Sequence, residues 1–305
     1  MKSFDAAATA RALPFPALVA ALQAMFVSGC ETPARHVHAV GGALTSLLMP
    51  AWLPGRYYGL KVVNVAPGNS ARGLPALSAT YQLFDANTGV PLALIDGGEL
   101  TARRTVAASA LAASRIARAD ARRHLIVGAG RLGSLLAPAY RAVRAIDDVA
   151  VWSRDGASAS RLAASLVADG FAARAVSDLA VAARDAHIVS CATLSERPLI
   201  HGEWLAPGSH LDLIGGFTPA MREADDAAFA GAQVWIDTPE ALVKAGDLLQ
   251  PIAHGALRRE DVRGTLAELC AAPPPECDPA ARTVFKSVGT ALEDLAAAIL
   301  VYESA

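Results

Sequence analysis

Lysine is nearly missing from this 305-residue chain: only Lys2, Lys61, Lys244 and Lys286 occur, although Lys and Arg together number 27. Paired cysteines are missing too, since Cys30, Cys191, Cys270 and Cys277 lie scattered and form no C-x-x-C pair. Such spacing fits reduced, mostly structural thiols of a cytoplasmic protein. Excess charge is absent, and a formal net charge of −2 gives no electrostatic reason to expect nucleic acid or an acidic membrane surface as a partner. A long apolar run is also lacking. The stretch LVAALQAMFVSGC ends at a cysteine as an exported lipoprotein's segment would, but Asp5, Arg11, Pro14, Pro16 and Gln23 interrupt the region. It is too short to span a bilayer. Its spacing predicts an amphipathic helix over residues 16–28, with Leu18, Leu22 and Met25 on one face and Gly29 as its stop.

What is present is core-forming material. Apolar residues make up 53% of the chain and charged residues 18%, enough for two domains and no sign of disorder. From residue 35 to 96, the runs RHVHAV, ALTSLLMPAW, YGLKVVNV, LSATYQLFD and PLALID alternate with GG, LPG, APGN and ANTG, so they read as strands joined by turns. An alanine-rich helix follows at about 99–118, capped in this reading by the glycines before it. The pattern then changes to strands (HLIVGAG, DDVAVWSR, AHIVSCAT, HLDLIGG, QVWIDT) separated by helical stretches. Alternation of that kind argues a parallel sheet covered on both faces. The tail FKSVGTALEDLAAAILVYE reads as a strand or turn and then a helix that returns to the first lobe. The expected fold class is α/β, a Rossmann doubly wound sheet over residues 119–280 plus a strand-rich α+β lobe from 1–118 and 281–305.

Gly128, Gly130 and Gly133, with Arg131 and Leu132 between the last two, form G-x-G-x-x-G after an apolar strand and at the opening of a helix. The first glycine permits a tight turn, the second lets backbone approach a pyrophosphate, and the third allows close helix–strand packing. The helix N-terminus offers amide donors to the phosphates. A glycine-rich packing turn that binds nothing is the plainer alternative. The second strand ends VAVWSRD, which puts Ser153 and Arg154 near the adenosine ribose. A hydroxyl and a guanidinium suit a 2′-phosphate, so NADP(H) is preferred and NAD(H) possible, with Asp155 one residue further on.

Lys61 interrupts an apolar, β-branched run. With period two it shares a face with Val63 and Val65, where a core would place a valine. A buried ammonium without an anion is costly. It could pair with an acidic core residue such as Asp96, or it could face a ligand.

The segments KVVNVAPGN, LFDANTGVPLALIDGGELTARRTVAASALAA, VGAGRLG and DLIGGFTPAMREADD resemble the ornithine cyclodeaminase/μ-crystallin family. TARRT, SCAT, GxFTPxMREADD and FKxVGTALEDL are similar to its bacterial Δ1-pyrroline-2-carboxylate/Δ1-piperideine-2-carboxylate reductases. The resemblance implies a two-lobed, homodimeric subunit with its active site in the cleft between the lobes. It implies that Arg35, Lys61 and Arg104 grip a substrate carboxylate, and three converging cations would repel one another unless an anion neutralised them. It also implies that Thr105 meets a cofactor phosphate. Cys191, Ala192 and Thr193 would lie beside the nicotinamide ribose, and Ser287 and Gly289 would close over the ring. Cys191 lacks a histidine partner for nucleophilic chemistry. Glu223, Asp225 and Asp226 read as an acidic cluster at a helix start. His36 and His38 share a strand face, but a third ligand is missing, so no metal is expected.

Two departures from the cyclodeaminases decide the expected reaction. Where they carry an aspartate after the V-G motif, this chain has Ile214, Gly215, Gly216 and then Phe217. No Asp or Glu lies between Arg35 and Lys61 to hold a distal amine. The implied activity is therefore NAD(P)H-dependent reduction of a small cyclic α-imino acid to proline or pipecolate. Lys61 would supply the nitrogen's proton, and Phe217 would line a pocket for the ring. Ornithine cyclodeamination, alanine-dehydrogenase-like amination and a crystallin-like, NADPH-binding protein without turnover are the alternatives.

Overall fold

The structure, a computed structural model, describes residues 1–276 and 278–304; Cys277 lies outside the described residues. The chain forms two compact units, Met1–Arg104 with Thr290–Ala305, and Thr105–Gly289.

The first unit opens with β1 (Lys2–Phe4), α1 (Ala6–Ala12) and α2 (Phe15–Ser28). Asp5 caps α1 by accepting from Ala8 N. As the spacing predicts, α2 buries Leu18, Leu22 and Met25, together with Phe15, Val19 and Phe26. Gly29 ends it at φ 70°, left-handed backbone that glycine adopts without a Cβ penalty. No single described helix is long and apolar enough to cross a membrane; α1 and α2 pass that test only as a pair bent by 75°.

Next come β2 (His36–Gly41), β3 (Leu44–Leu53), β4 (Tyr57–Val65), β5 (Leu77–Asp85) and β6 (Pro91–Asp96). All five match strands expected from the turn chemistry. The sheet order is β1-β6-β5-β4-β3-β2, antiparallel except for β1 against β6. The pleat of β4 buries Gly59, Lys61 and Val63 on one face, and Val65 is half-buried.

Helix α3 (Gly97–Ile116) follows at once. Its cap is not the glycine pair: Asp96 Oδ1 accepts from Glu99 N at 2.7 Å, as a short side-chain acceptor does for an orphan first-turn amide. Gly97 serves a steric need instead, because a Cβ there would lie 2.7 Å from Ala79 C and Thr80 N on β5. The boundary between the units falls inside α3, after Arg104.

The second unit runs β7 (Arg123–Val127), α4 (Gly133–Arg141), β8 (Asp148–Trp152), α5 (Gly156–Ala168), β9 (Ala172–Ala175), α6 (Leu179–Asp185), β10 (Ile188–Cys191), β11 (His210–Leu213) and β12 (Gln233–Ile236). It continues with α7 (Ala241–Lys244), α8 (Gly246–Ala253), β13 (Val262–Thr265), α9 (Leu266–Ala271) and β14 (Thr283–Lys286). The sheet is parallel, in the order β13-β12-β14-β11-β10-β7-β8-β9. The chain turns to opposite sides of β7 towards β8 and β10, which makes the carboxyl end of β7 the switch point where ligands bind in such sheets. β9 and β13 escape the sequence reading because AARA and VRGT have no sustained apolar period. Helix α10 (Ala291–Glu303), capped by Thr290, closes the chain within the first unit.

Candidate functional site

In the second unit a cavity of about 390 Å³ opens at that switch point. Its walls come from three turns: Gly128–Gly130 after β7, Trp152–Asp155 after β8, and Ala192–Ser195 after β10. The three glycines have different reasons to be glycine. Gly128 sits at φ 115°, and a Cβ there would lie 2.6 Å from Ala192 O. At Gly133 a Cβ would come within 1.9 Å of Gly128 O, so the start of α4 can pack against the turn only without a side chain. At Gly130 a Cβ would meet nothing within 4 Å. Its backbone is bare toward open space, as close approach of a ligand requires. Arg131 is exposed and Leu132 half-buried, and neither lines this cavity.

Ser153 and Arg154 both line it. Asp155 lines it as well, and its carboxylate caps α5, accepting from Ala157 N and Ser158 N at 3.2 Å each. The Ser158 hydroxyl and the Ala157 amide lower its pKa. The wall at the end of β8 therefore presents one guanidinium and one hydroxyl beside a carboxylate engaged by a helix terminus.

Thr193 lines the cavity, whereas Cys191, two residues earlier at the end of β10, is fully buried, and burial holds its thiol well above the ordinary range. Ser287 is also buried, its amide donating to Leu213 O at 3.2 Å. Gly289, at φ 76°, donates its amide to Asp237 Oδ2 at 2.6 Å. Phe217 follows β11 and is 49% exposed. Thr105 is half-buried on α3.

Lys61 belongs to the first unit, where it is 2% exposed, and its partner is Asp294, not Asp96. Nζ lies 2.6 Å from Asp294 Oδ2. Arg104, buried on α3, donates Nε–H to Asp294 Oδ1 at 2.9 Å and NH1 to Glu293 Oε2 at 2.5 Å. Two cations and two carboxylates thus form a buried neutral quartet. Both cations thus find carboxylates within the first unit, supplied by α10. Burial lowers the Lys61 pKa to about 8, with Asp294 opposing that shift and Arg104 adding to it. Asp294 is held below its ordinary value because Lys61 and Arg104 outweigh the burial that pushes it up. The Tyr81 hydroxyl, paired across from Lys61 in the β4–β5 register, is buried without a hydrogen bond. Burial first, and Asp294 second, push its pKa well up.

Arg35 is half-buried in the loop before β2. It precedes His36, whose ladder runs through Leu48 to Val62, the neighbour of Lys61. The level along the sheet is therefore shared, two strands away. His36 and His38 stack with ring centroids 6.3 Å apart, on one face as their spacing predicts.

The acidic cluster is corrected as well. Glu223 is fully buried and no surface residue at a helix start, though Asp225 does cap a short 3₁₀ turn at 226–228. Asp237, Asp247, Lys286, Glu293 and Asp294 are further buried charges that went unassigned in sequence. A visible signal existed for the last two, since adjacent acids in an otherwise apolar helix such as ALEDLAAAILVYE demand partners.

A family model for the ornithine cyclodeaminase/mu-crystallin family matches residues 19–305. The chain belongs to that family. Among its relatives, a Δ1-pyrroline-2-carboxylate reductase of Paracoccus denitrificans is 42% identical over 261 residues, covering 82% of this chain and 80% of that protein. The rat ketimine reductase mu-crystallin is 33% identical over 246 residues, covering 80% and 75% respectively. Thermococcus litoralis Δ1-pyrroline-2-carboxylate reductase, solved in complex with NADH and L-proline, superposes with a TM-score of 0.93. It is 28% identical and covers 100% of this chain and 97% of that one.

Proposed function

We propose that this chain is an NAD(P)H-dependent oxidoreductase acting on C=N bonds, reducing cyclic α-imino acids of the Δ1-pyrroline-2-carboxylate and Δ1-piperideine-2-carboxylate type to proline or pipecolate. The observation that carries the reading is Lys61, a buried ammonium with its pKa lowered to about 8, beside Asp294 and Arg104. It is a proton donor near its working range, in a chain with Phe217 where a cyclodeaminase needs a carboxylate. The nearby acids Glu223 and Asp247 are fully buried and accept backbone amides, so they do not replace it.

A bound reduced nicotinamide supplies the hydride to the imine carbon. The protein's part is electrostatic. Lys61 gives the nitrogen its proton as the C=N electron pair moves onto it, and Asp294 stabilises the ammonium before transfer. Arg35 offers the substrate carboxylate a guanidinium fork suited to bidentate contact, and Arg104, whose Nε and NH1 hold Asp294 and Glu293, adds its charge to the attraction. NADPH is the preferred cofactor on the strength of Arg154 in the cavity and Asp155 at the helix cap. The first unit (with α10) serves as the substrate-binding and dimerising lobe of a cytoplasmic homodimer, the second as the cofactor domain. The exposed edge strand β2 supports dimer formation through the first unit.

The test is absorbance at 340 nm with each imine and with NADPH or NADH, with L-ornithine plus NAD in parallel. Oxidation of NADPH by an imine, lost in Lys61→Ala, is expected. Ammonia release from ornithine with both imines inert would overturn the reading.

A further inference from the structure

Glu223 has no part in the chemistry above, yet few side chains in the second unit are so fully engaged. Its Oε1 accepts from Thr193 N and from Thr193 Oγ1, each at 2.7 Å, and its Oε2 accepts from Gly215 N at 2.8 Å. Thr193 belongs to the turn after β10 that lines the cavity, and Gly215 to the turn after β11. The two turns are pressed together at Gly215, where a Cβ would stand 1.8 Å from Thr193 O and 2.6 Å from Glu223 Oε1. One carboxylate therefore ties two strand ends into a single wall.

The charges around it leave that tie sensitive to protons. Asp247 Oδ1 accepts from Glu223 N at 2.7 Å, and its Oδ2 takes Lys286 Nζ at 3.1 Å, with both groups fully buried. Asp247 on α8 and Lys286 on β14 match each other, and the Cys191 thiol on β10 also faces the cluster. Glu223 is left facing two backbone amides, which can only donate, and the Thr193 hydroxyl, which donates to it here and must turn round to accept a proton from it. Burial raises its pKa to about 7, with Lys286 and the Thr193 donors opposing and Asp247 adding. Protonation weakens the tie either way: a proton on Oε2 opposes the Gly215 amide, and one on Oε1 is accommodated only by reversing the Thr193 hydroxyl from donor to acceptor.

We propose that Glu223 is a positioning residue for the nicotinamide dinucleotide: by gathering Thr193 and Gly215 it sets the cavity wall against which the cofactor docks. This rests on the dinucleotide reading of the cavity above. The test is direct binding of NADH by fluorescence titration between pH 6 and 8.5, with no imine present. NADH is the probe because the 2′-phosphate of NADPH itself titrates near pH 6. In the wild type, Kd should rise by roughly tenfold from pH 8 to pH 6, the span across which Glu223 takes its proton. Glu223→Gln should bind about tenfold more weakly at pH 8, since its amide N–H₂ would face the Gly215 N–H, the loss of one such contact costing about 1 kcal/mol or more. Its affinity should stay flat with pH, and Glu223→Asp should recover part of the slope. A flat wild-type profile, or wild-type binding by a folded Glu223→Gln, would overturn the proposal. If the variants fail to fold, a flat wild-type profile still overturns the proposal. No NADH or NADPH binding at any pH would instead remove the dinucleotide reading and this inference with it.

Discussion

Replacing Lys61 by methionine keeps an unbranched apolar stem, one heavy atom shorter, and removes the charge from a group 2% exposed and 2.6 Å from Asp294. The quartet then carries one net negative charge in the interior. Asp294 keeps the Arg104 contact at 2.9 Å, so the cost should fall toward the low end of the 3–5 kcal/mol usual for breaking a buried pair, about 3 kcal/mol. Asp294→Asn leaves the opposite problem, and Lys61 has an escape that a depressed carboxylate lacks. Its pKa is already about 8 and falls further without Asp294, so it can shed its proton. From about 8, discharging it at pH 7 costs roughly 1–2 kcal/mol, which caps the electrostatic part of that variant's loss. The double variant removes one cation and one anion, leaving Arg104 with Glu293. Urea unfolding of the four proteins should show the double variant more stable than the sum of single losses predicts, by about 2 kcal/mol. Additivity within about 0.5 kcal/mol would refute the quartet as a coupled unit. Imine reduction should stay lost in the double variant, which separates the proton donor from the packing partner.

Three further outcomes follow from geometry elsewhere. Gly133→Ala should abolish NADH binding and lower the melting temperature, because its Cβ would sit 1.9 Å from Gly128 O; unchanged binding in a calorimetric titration would count against the glycine turn. Arg154→Asp should weaken NADPH by roughly 10–100-fold, about the 1.5–3 kcal/mol of a hydrogen bond to a charged group, and spare NADH, as kcat/KM ratios would show. Buried His124, bonded to Ser190 at 2.9 Å, has its pKa pushed to about 3 by burial, with His210 adding. The unfolded chain takes that proton below about pH 6.5 and the folded one does not, so the stability this neutral histidine confers is present above pH 6.5 and lost as pH falls. Thermal scans should show the wild type's advantage over His124→Asn shrinking by somewhat more than 1 kcal/mol per pH unit from 6.5 toward 4.

The elements most legible in sequence were those with a clean period. α2 and β2–β6 declare themselves through apolar spacing and turn residues, as does the parallel alternation from β7 onward. The glycine turn was equally plain, because Gly128 and Gly133 answer local steric demands and Gly130 leaves its backbone bare. Lys61 announced a question without its answer, since the answer lies on α10, far along the chain. Glu223 was misread because MREADD looks like any solvent-facing acidic start, and no local pattern tells that its carboxylate turns inward to Thr193 and Gly215. Asp96 was offered to the lysine when it was needed to cap α3. Short-range physics writes itself into adjacent letters, whereas pairing across the fold does not.

The split of the first unit between residues 1–104 and 290–305 sets a clock on the ribosome. Asp294 lies 190 residues after Arg104, and at about 5–20 residues per second that separation lasts roughly 10–40 s. Throughout that interval Lys61 and Arg104 exist without the carboxylates that neutralise them, while the whole parallel-sheet unit is synthesised. The order of assembly is thus dictated by connectivity: the second unit can be complete first, and the strand-rich unit closes only when α10 arrives. A released chain truncated after Gly289 should carry a protease-resistant second unit and a first unit still open to digestion.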